Sequence, residues 1–204
     1  MDIKEQSILL RPAKPEFGEG LKFAHYLDQA AEGFFRVMLG RESESIIASA
    51  FIDSGHTLSH ENVIFVEVDT KIVGMSSTFT EKQHRMFSDE PLRRAAKRNA
   101  IRLKLVRILF APVWRILETI PEGDFYVQGI AIEPELRGAG IGSLLMNDIE
   151  NRAKASGSNR LSLDVSAKND GARRLYKRFG MVDSTTWPNS RFLPTVFFRM
   201  AKYL

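Results

Sequence analysis

The stretch "EPELRGAGIGSLL", residues 133–145, places Arg137 and the glycines Gly138, Gly140 and Gly142 in six consecutive positions. It lies between an apolar extended run and the start of an amphipathic helix. Glycine costs a helix roughly 1 kcal/mol relative to alanine, so this spacing needs a local reason. The first N–H groups of a helix have no intrahelical acceptor, and the helix dipole favours negative charge there. Glycine lets an anion approach the backbone without a Cβ in the way, and Arg137 adds a charged donor at the same point. On the glycines alone, a tight turn without a ligand explains as much as an anion cradle does.

Two common phosphate motifs do not fit. A P-loop closes on Gly-Lys-Ser/Thr, whereas Gly142 is followed by Ser143 and Leu144. A dinucleotide fingerprint needs a third glycine at position 143, which is serine.

Outward from the loop, the chain alternates extended and helical patterns. Upstream, "SILLRPA" reads as a short strand stopped at Pro12. Leu21, Ala24, Leu27, Ala31 and Phe34 recur at helical spacing. A second helix is expected over 43–53, then two strands in "NVIFVEVDTKIVGMSSTF" joined at Asp69–Lys71. "DFYVQGIAIE" is a further strand entering the loop. Downstream, Ile141, Leu144, Leu145, Ile149 and Ala153 mark a helix ending near Gly157. "RLSLDVS" reads as a strand, "NDGARRLYKRFG" as a short helix, and "TVFFRMAKY" as a closing strand. With no repeat, linker or low-complexity tract, residues 1–204 are expected to form one mixed α/β domain.

Composition narrows the class. Apolar residues make up 44% and charged residues 26%, ordinary for a globular protein. There is no cysteine, which excludes disulfides and thiolate metal sites within this chain. His25, His56, His60 and His84 lack metal-ligand spacing and are expected at the surface, so no metal is expected. No signal-peptide pattern and no run of 18 uncharged apolar residues is present, so a cytoplasmic protein without a spanning segment is expected.

The net charge of +4 is unevenly placed. Residues 82–115 hold ten Lys or Arg against Asp89 and Glu90, a local balance of +8, which leaves −4 for the rest. Ser88 can cap a helix there, with Asp89 and Glu90 at its positive end and Pro91 in its first turn. Leu92, Ala95, Ala96, Asn99, Leu103, Val106 and Phe110 then share one face, and up to Ala100 the other face is basic. Beyond Ala100 the pattern is apolar nearly all round until Pro112. Such a segment suits burial against the domain or a second subunit in a homodimer, a groove wall for an acidic substrate, or an anionic membrane surface. Nucleic acid is not expected, because no aromatic residues interleave the basic half.

Arg137–x–x–Gly140–x–Gly142 after a "VQGIAIEPELRG" strand resembles the acetyl-CoA motif of the GNAT superfamily of N-acetyltransferases. A second motif of that family follows in register in "LSLDVSAKNDGARRLYKRFGM", with Asn169, Ala172, Leu175, Tyr176, Phe179 and Gly180 in place. The resemblance implies a GNAT-like acyl-CoA N-acyltransferase fold: a central mixed, mostly antiparallel sheet with helices on both faces. A helical insertion at about 85–120 would join the third and fourth strands. It implies that the strands at 125–132 and 160–165 start adjacent and then splay. Backbone groups of Ile130, Ala131 and Ile132 would hold the pantetheine arm. Amides from Gly138, Ala139, Gly140, Ile141, Gly142 and Ser143 would hold the pyrophosphate beside Arg137. Asn169 and Ala172 would line the cofactor's path, and Tyr176 would touch it and act as the acid. The cosubstrate would be acetyl-CoA, and the acceptor a primary amine of a small molecule or polypeptide, attacking directly in a ternary complex.

Acyl transfer from a thioester needs a neutral amine, donors for the developing oxyanion and a proton for the leaving thiolate. A tyrosine near pKa 10 and a thiol near 8.5 can share that proton. A strand amide near Ile130 would face the oxyanion. The family's usual glutamate on this strand is replaced by Tyr126, with Gln128 on the same face, so the base is left open between a water chain and an amine arriving neutral. Glu118 and Glu122 read as solvated loop residues. That missing carboxylate also feeds a rival, a catalytically degenerate CoA-binding regulatory or interaction module.

Overall fold

The run "VIFVEV" forms the expected strand, and both of its faces are covered: Val63 and Phe65 belong to one buried cluster and Val66 to another. The computed structural model describes residues 7–96, 105, 108, 119–188 and 192–204. Within them run β1 (Ile8–Pro12), α1 (Phe17–Ala30), α2 (Phe34–Leu39), α3 (Ser43–Phe51), β2 (Val63–Val68), β3 (Lys71–Thr80), α4 (Glu81–Met86) and α5 (Glu90–Ala96). Then come β4 (Asp124–Ile132), α6 (Ile141–Ala155), β5 (Arg160–Ser166), α7 (Asp170–Arg178), β6 (Val182–Trp187) and β7 (Phe197–Tyr203). The strands form one sheet in the order β1-β2-β3-β4-β5-β7-β6. Every neighbouring pair is antiparallel except β4–β5, which is parallel. That pair needs a crossover, and α6 supplies it. The expected mixed, mostly antiparallel sheet is therefore present.

Helices cover both faces. On one, Phe23, Ala24 and Leu27 of α1 and Ile46, Ile47 and Phe51 of α3 bury against Phe65, Met75 and Ala131 of the sheet. Leu92, Ala95 and Ala96 of α5 join that cluster, as their shared face requires. On the other, Met146, Ile149 and Ala153 of α6 and Tyr176 of α7 pack on Phe125, Val127, Leu161 and Leu163. Each fully buried large apolar side chain contributes about 1.5–3 kcal/mol.

α1 and α3 approach closely at Gly20. A Cβ there would lie 2.8 Å from both the Cα and the carbonyl oxygen of Ala48, which are backbone atoms that cannot swing away. Gly20→Ala is expected to cost about 1–3 kcal/mol through forced overpacking. Urea unfolding read by circular dichroism checks it; an unchanged midpoint refutes the close contact.

Sequence patterning missed three elements. α2 has only six residues, FFRVML, too few to show a period around its one polar side chain, Arg36, and α4 is one short helix with a Thr80–Gln83 capping box. β6 lies at the sheet edge, largely exposed, and lacks the apolar alternation by which a strand is recognised. His56 is a correction: expected at the surface, it is 2% exposed. Its Nε2–H donates to the carbonyls of Ala50 and Asp53, and its Nδ1 accepts from the Leu58 amide. Burial lowers its pKa and keeps it neutral. Of the helical insertion expected at about 85–120, residues 97–104, 106–107 and 109–118 lie outside the described residues.

Candidate active site at the β4–β5 fork

β4 and β5 pair only from Asp124 with Arg160 to Val127 with Leu163. Beyond that point β4 continues with β3 as far as Ile132, and β5 continues with β7 as far as Ser166. Two strand edges therefore diverge, as expected for 125–132 and 160–165. A cavity of about 1420 Å³ occupies the fork and is lined from both sides of the sheet.

A bulge shapes one edge. Ser77 pairs with Gly129 and Thr78 with Val127, leaving Gln128 as the extra residue. Such a bulge re-aims the side chains after it. Phe125 and Val127 face α6, whereas Ala131 faces α1. Gln128 turns its Oε1 to the Ser77 hydroxyl, which donates at 2.8 Å.

The glycine loop closes one end of the cavity. After a 3-10 turn at Pro134–Leu136, Gly138 and Gly140 take φ values of 85° and 89°, a region that favours glycine. A Cβ at either would meet nothing within 4 Å. Gly140 is the N-cap of α6 with no side-chain cap. Ser143 N–H donates to Gly140 O and Ala139 N–H to Leu136 O, so those two amides are committed. Among the described residues the N–H groups of Gly138, Gly140, Ile141 and Gly142 have no acceptor. Arg137, Gly138, Gly140, Gly142 and Ser143 line the cavity, while Ala139 and the buried Ile141 side chain do not. Arg137 is exposed, its Nε donating to Ile132 O at 3.3 Å.

α7 supplies the facing wall. Asn169 caps it, its Oδ1 accepting from Ala172 N–H at 3.1 Å, which leaves its amide NH2 and one oxygen lone pair for a ligand. Ala172 and Tyr176 line the same cavity, as do Ile130, Ala131 and Ile132. The Tyr176 ring is buried, and its hydroxyl has no partner among the described residues. Desolvation pushes its pKa up to about 12, so it is a neutral donor.

At the apex of the fork, the Tyr126 hydroxyl donates to Asp164 Oδ2 at 3.0 Å. Arg199 grips the same carboxylate from β7, Nε to Oδ1 at 2.9 Å and Nη2 to Oδ2 at 2.7 Å. The sequence reading missed Asp164 and Arg199. The available signal was a charge near the middle of each strand, but their pairing depends on the β5–β7 register. The other half of the cavity is formed by the α1–α2 turn, where Glu32 and Gly33 both have positive φ, and by Phe79, His84 and Phe87.

A forked α/β sheet thus brings free amides at a helix start and a buried phenol to one cleft. Residues 25–181 match the acetyltransferase (GNAT) family, and the chain belongs to it. Over 72 residues it is 35% identical to a Bacillus subtilis (strain 168) protein named "Putative ribosomal protein bS18-alanine N-acetyltransferase". That match spans 35% of this chain and 44% of the relative, less than half of its length. Among solved structures, an N-acetyltransferase from Staphylococcus aureus Mu50 superposes with a TM-score of 0.70 at 14% identity, over 95% of this chain and 100% of that one. A crystal structure titled only as an acetyltransferase gives 0.69 at 23% identity, over 96% and 98%. These two likenesses show the fold.

Proposed function

We propose that the protein transfers an acetyl group from acetyl-CoA to a primary amine of a small molecule or polypeptide, by direct attack in a ternary complex. One observation carries this reading: the unclaimed amides of Gly138, Gly140 and Gly142 and a protonated Tyr176, without a partner among the described residues, border one cavity beside the only parallel strand pair among them. The amides of Gly138, Gly140, Ile141 and Gly142, with Arg137, suit a diphosphate. The edge of β4 from Ile130 to Ile132 suits the pantetheine amides, as a strand partner would. Residues Asn169 and Ala172 border that arm.

The amine attacks as the free base and the C–N bond forms while the C–S bond breaks. A β4 amide near Ile130 steadies the oxyanion, and Tyr176 donates to the departing thiolate. Because Tyr176 is pushed to about 12 against roughly 8.5 for a thiol, it acts as a hydrogen-bond donor. It keeps its proton and steadies the thiolate as sulfur takes on charge, and the free thiolate takes a proton from water. The chain has no cysteine to carry the acetyl group, which supports direct transfer.

The test is calorimetry with acetyl-CoA, followed by thiol release with four amines: phenethylamine, spermidine, Nα-acetyl-lysinamide and the tripeptide Ala-Ala-Ala. The last follows the named alanine specificity of the Bacillus relative. Acetyl-CoA binding with thiol release that depends on at least one amine is expected. Binding without any amine-dependent release supports the regulatory module instead, and absence of binding overturns both.

A further inference from the structure

The apex of the fork holds a hydrogen-bond acceptor that the reading above leaves unused. Tyr126 sits one residue before the last β4–β5 pair, and Asp164 is the first β5 residue beyond it. Arg199 is the register partner of Asp164 on β7. Its two-pronged grip fixes the plane of the carboxylate, and its Nη1 is anchored on Thr119 O at 2.6 Å. The Tyr126 proton therefore has one destination, Asp164 Oδ2.

A phenol oxygen that donates can still accept. Among the described residues no donor reaches the Tyr126 oxygen, although the ring is buried and borders the cavity. Its neighbours are less free to accept. Gln128 Oε1 already accepts from the Ser77 hydroxyl and keeps one lone pair. Asp164 already receives three hydrogen bonds, two of them from its cationic partner. Burial and the Asp164 charge both hold the Tyr126 proton on, raising its pKa well above the usual value. It is thus no base at neutral pH.

Resting on the acetyltransferase reading, we infer that the Tyr126 oxygen, its own proton committed to the Arg199-paired Asp164, accepts a hydrogen bond from the attacking amine. One amine N–H is tied back to β4, which turns the nitrogen lone pair toward the fork, where the thioester carbon would lie. No proton passes through Tyr126; the surplus amine proton leaves to water after the C–N bond forms. The strand carboxylate of the family is here replaced by a residue that aims the nucleophile and leaves its deprotonation to bulk pH.

Tyr126→Phe removes that one oxygen. The Michaelis constant for the best of the four amines is expected to rise about tenfold, as for one lost hydrogen bond. The acetyl-CoA dissociation constant should stay unchanged. The acid limb of the pH–kcat/KM profile, set by the pKa of the amine itself, should stay in place. A second readout needs no turnover: equilibrium binding of the same four amines to the complex with acetonyl-CoA, a non-transferring analogue. There the tightest amine should weaken by a similar factor. An unchanged amine affinity in the variant overturns the inference while leaving the acetyltransferase reading intact, and so does a displaced acid limb, which would mark a base. Joint loss of acetyl-CoA affinity and melting temperature also overturns it, as a purely structural role. Failure of the wild type to release thiol sinks the acetyltransferase reading alone, since the binding arm still decides. No amine binding to the analogue complex counts against this inference.

Discussion

Tyr176→Phe is expected to lower kcat about a hundredfold while leaving acetyl-CoA affinity and the fold intact. The rate loss is the low end of what a positioned hydrogen-bond donor contributes. The retained fold follows from the geometry, because the hydroxyl has no partner among the described residues and its removal strands no donor or acceptor there. Packing of the ring among Met146, Leu163 and Met181 is kept. The pH behaviour adds an independent check. With its pKa pushed up to about 12 by burial, Tyr176 stays protonated through pH 10, so the wild-type kcat should show no alkaline fall between pH 8 and 10. The stability effect has a definite sign. The folded state holds this proton more tightly than the unfolded chain, whose tyrosine titrates near 10. The contribution is complete below about pH 10 and is lost as pH rises toward 12. The variant should therefore lose less stability than the wild type over that interval. Steady-state kinetics with the best amine, together with thermal melts at pH 8 and 11, decide the matter. A kcat within threefold of wild type removes Tyr176 from the chemistry.

How far the residues announced this site depends on whether a feature is local. The glycine loop, α6 and α7 were legible because turn, cap and apolar period sit within about fifteen consecutive residues, and two motifs lay in register. The fork was implied only through family resemblance, since nothing in "YVQGIAI" says where its pairing with 160–166 stops. The bulge at Gln128 was not legible at all. A one-residue offset between β3 and β4 leaves no compositional trace, yet it decides which face each later β4 side chain reaches. The commitment of the Ser143 and Ala139 amides was hidden for the same reason: it depends on φ values at Gly138 and Gly140. Asp164 and Arg199 show the limit of strand patterning. Each is one of two charges in its strand, and only the β5–β7 register makes them partners. His56 failed in the opposite direction, because polarity suggested the surface while three backbone hydrogen bonds satisfy it in the interior.

Gly140→Val should reduce acetyl-CoA affinity at least a hundredfold, about 2.8 kcal/mol. Two effects coincide at this position and must be separated. A β-branched residue at φ 89° is strained, by roughly 1–2 kcal/mol. Its side chain would also enter the open space beside the free amides, since a Cβ there meets nothing within 4 Å. Gly157→Val isolates the first effect, because Gly157 has φ 71° and equally open surroundings but lies beyond the far end of α6, away from the cavity. Both variants should lose similar stability in urea, whereas only Gly140→Val should lose the cosubstrate. A second ligand sharpens the contrast. S-acetylpantetheine carries the thioester and the arm without the diphosphate, so its slow turnover should be the same in Gly140→Val as in wild type. If both donors suffer equally, the loop shapes the whole cleft and is not a phosphate cradle. If only acetyl-CoA suffers, the unclaimed amides of Gly138, Gly140, Ile141 and Gly142 are where its charge is held.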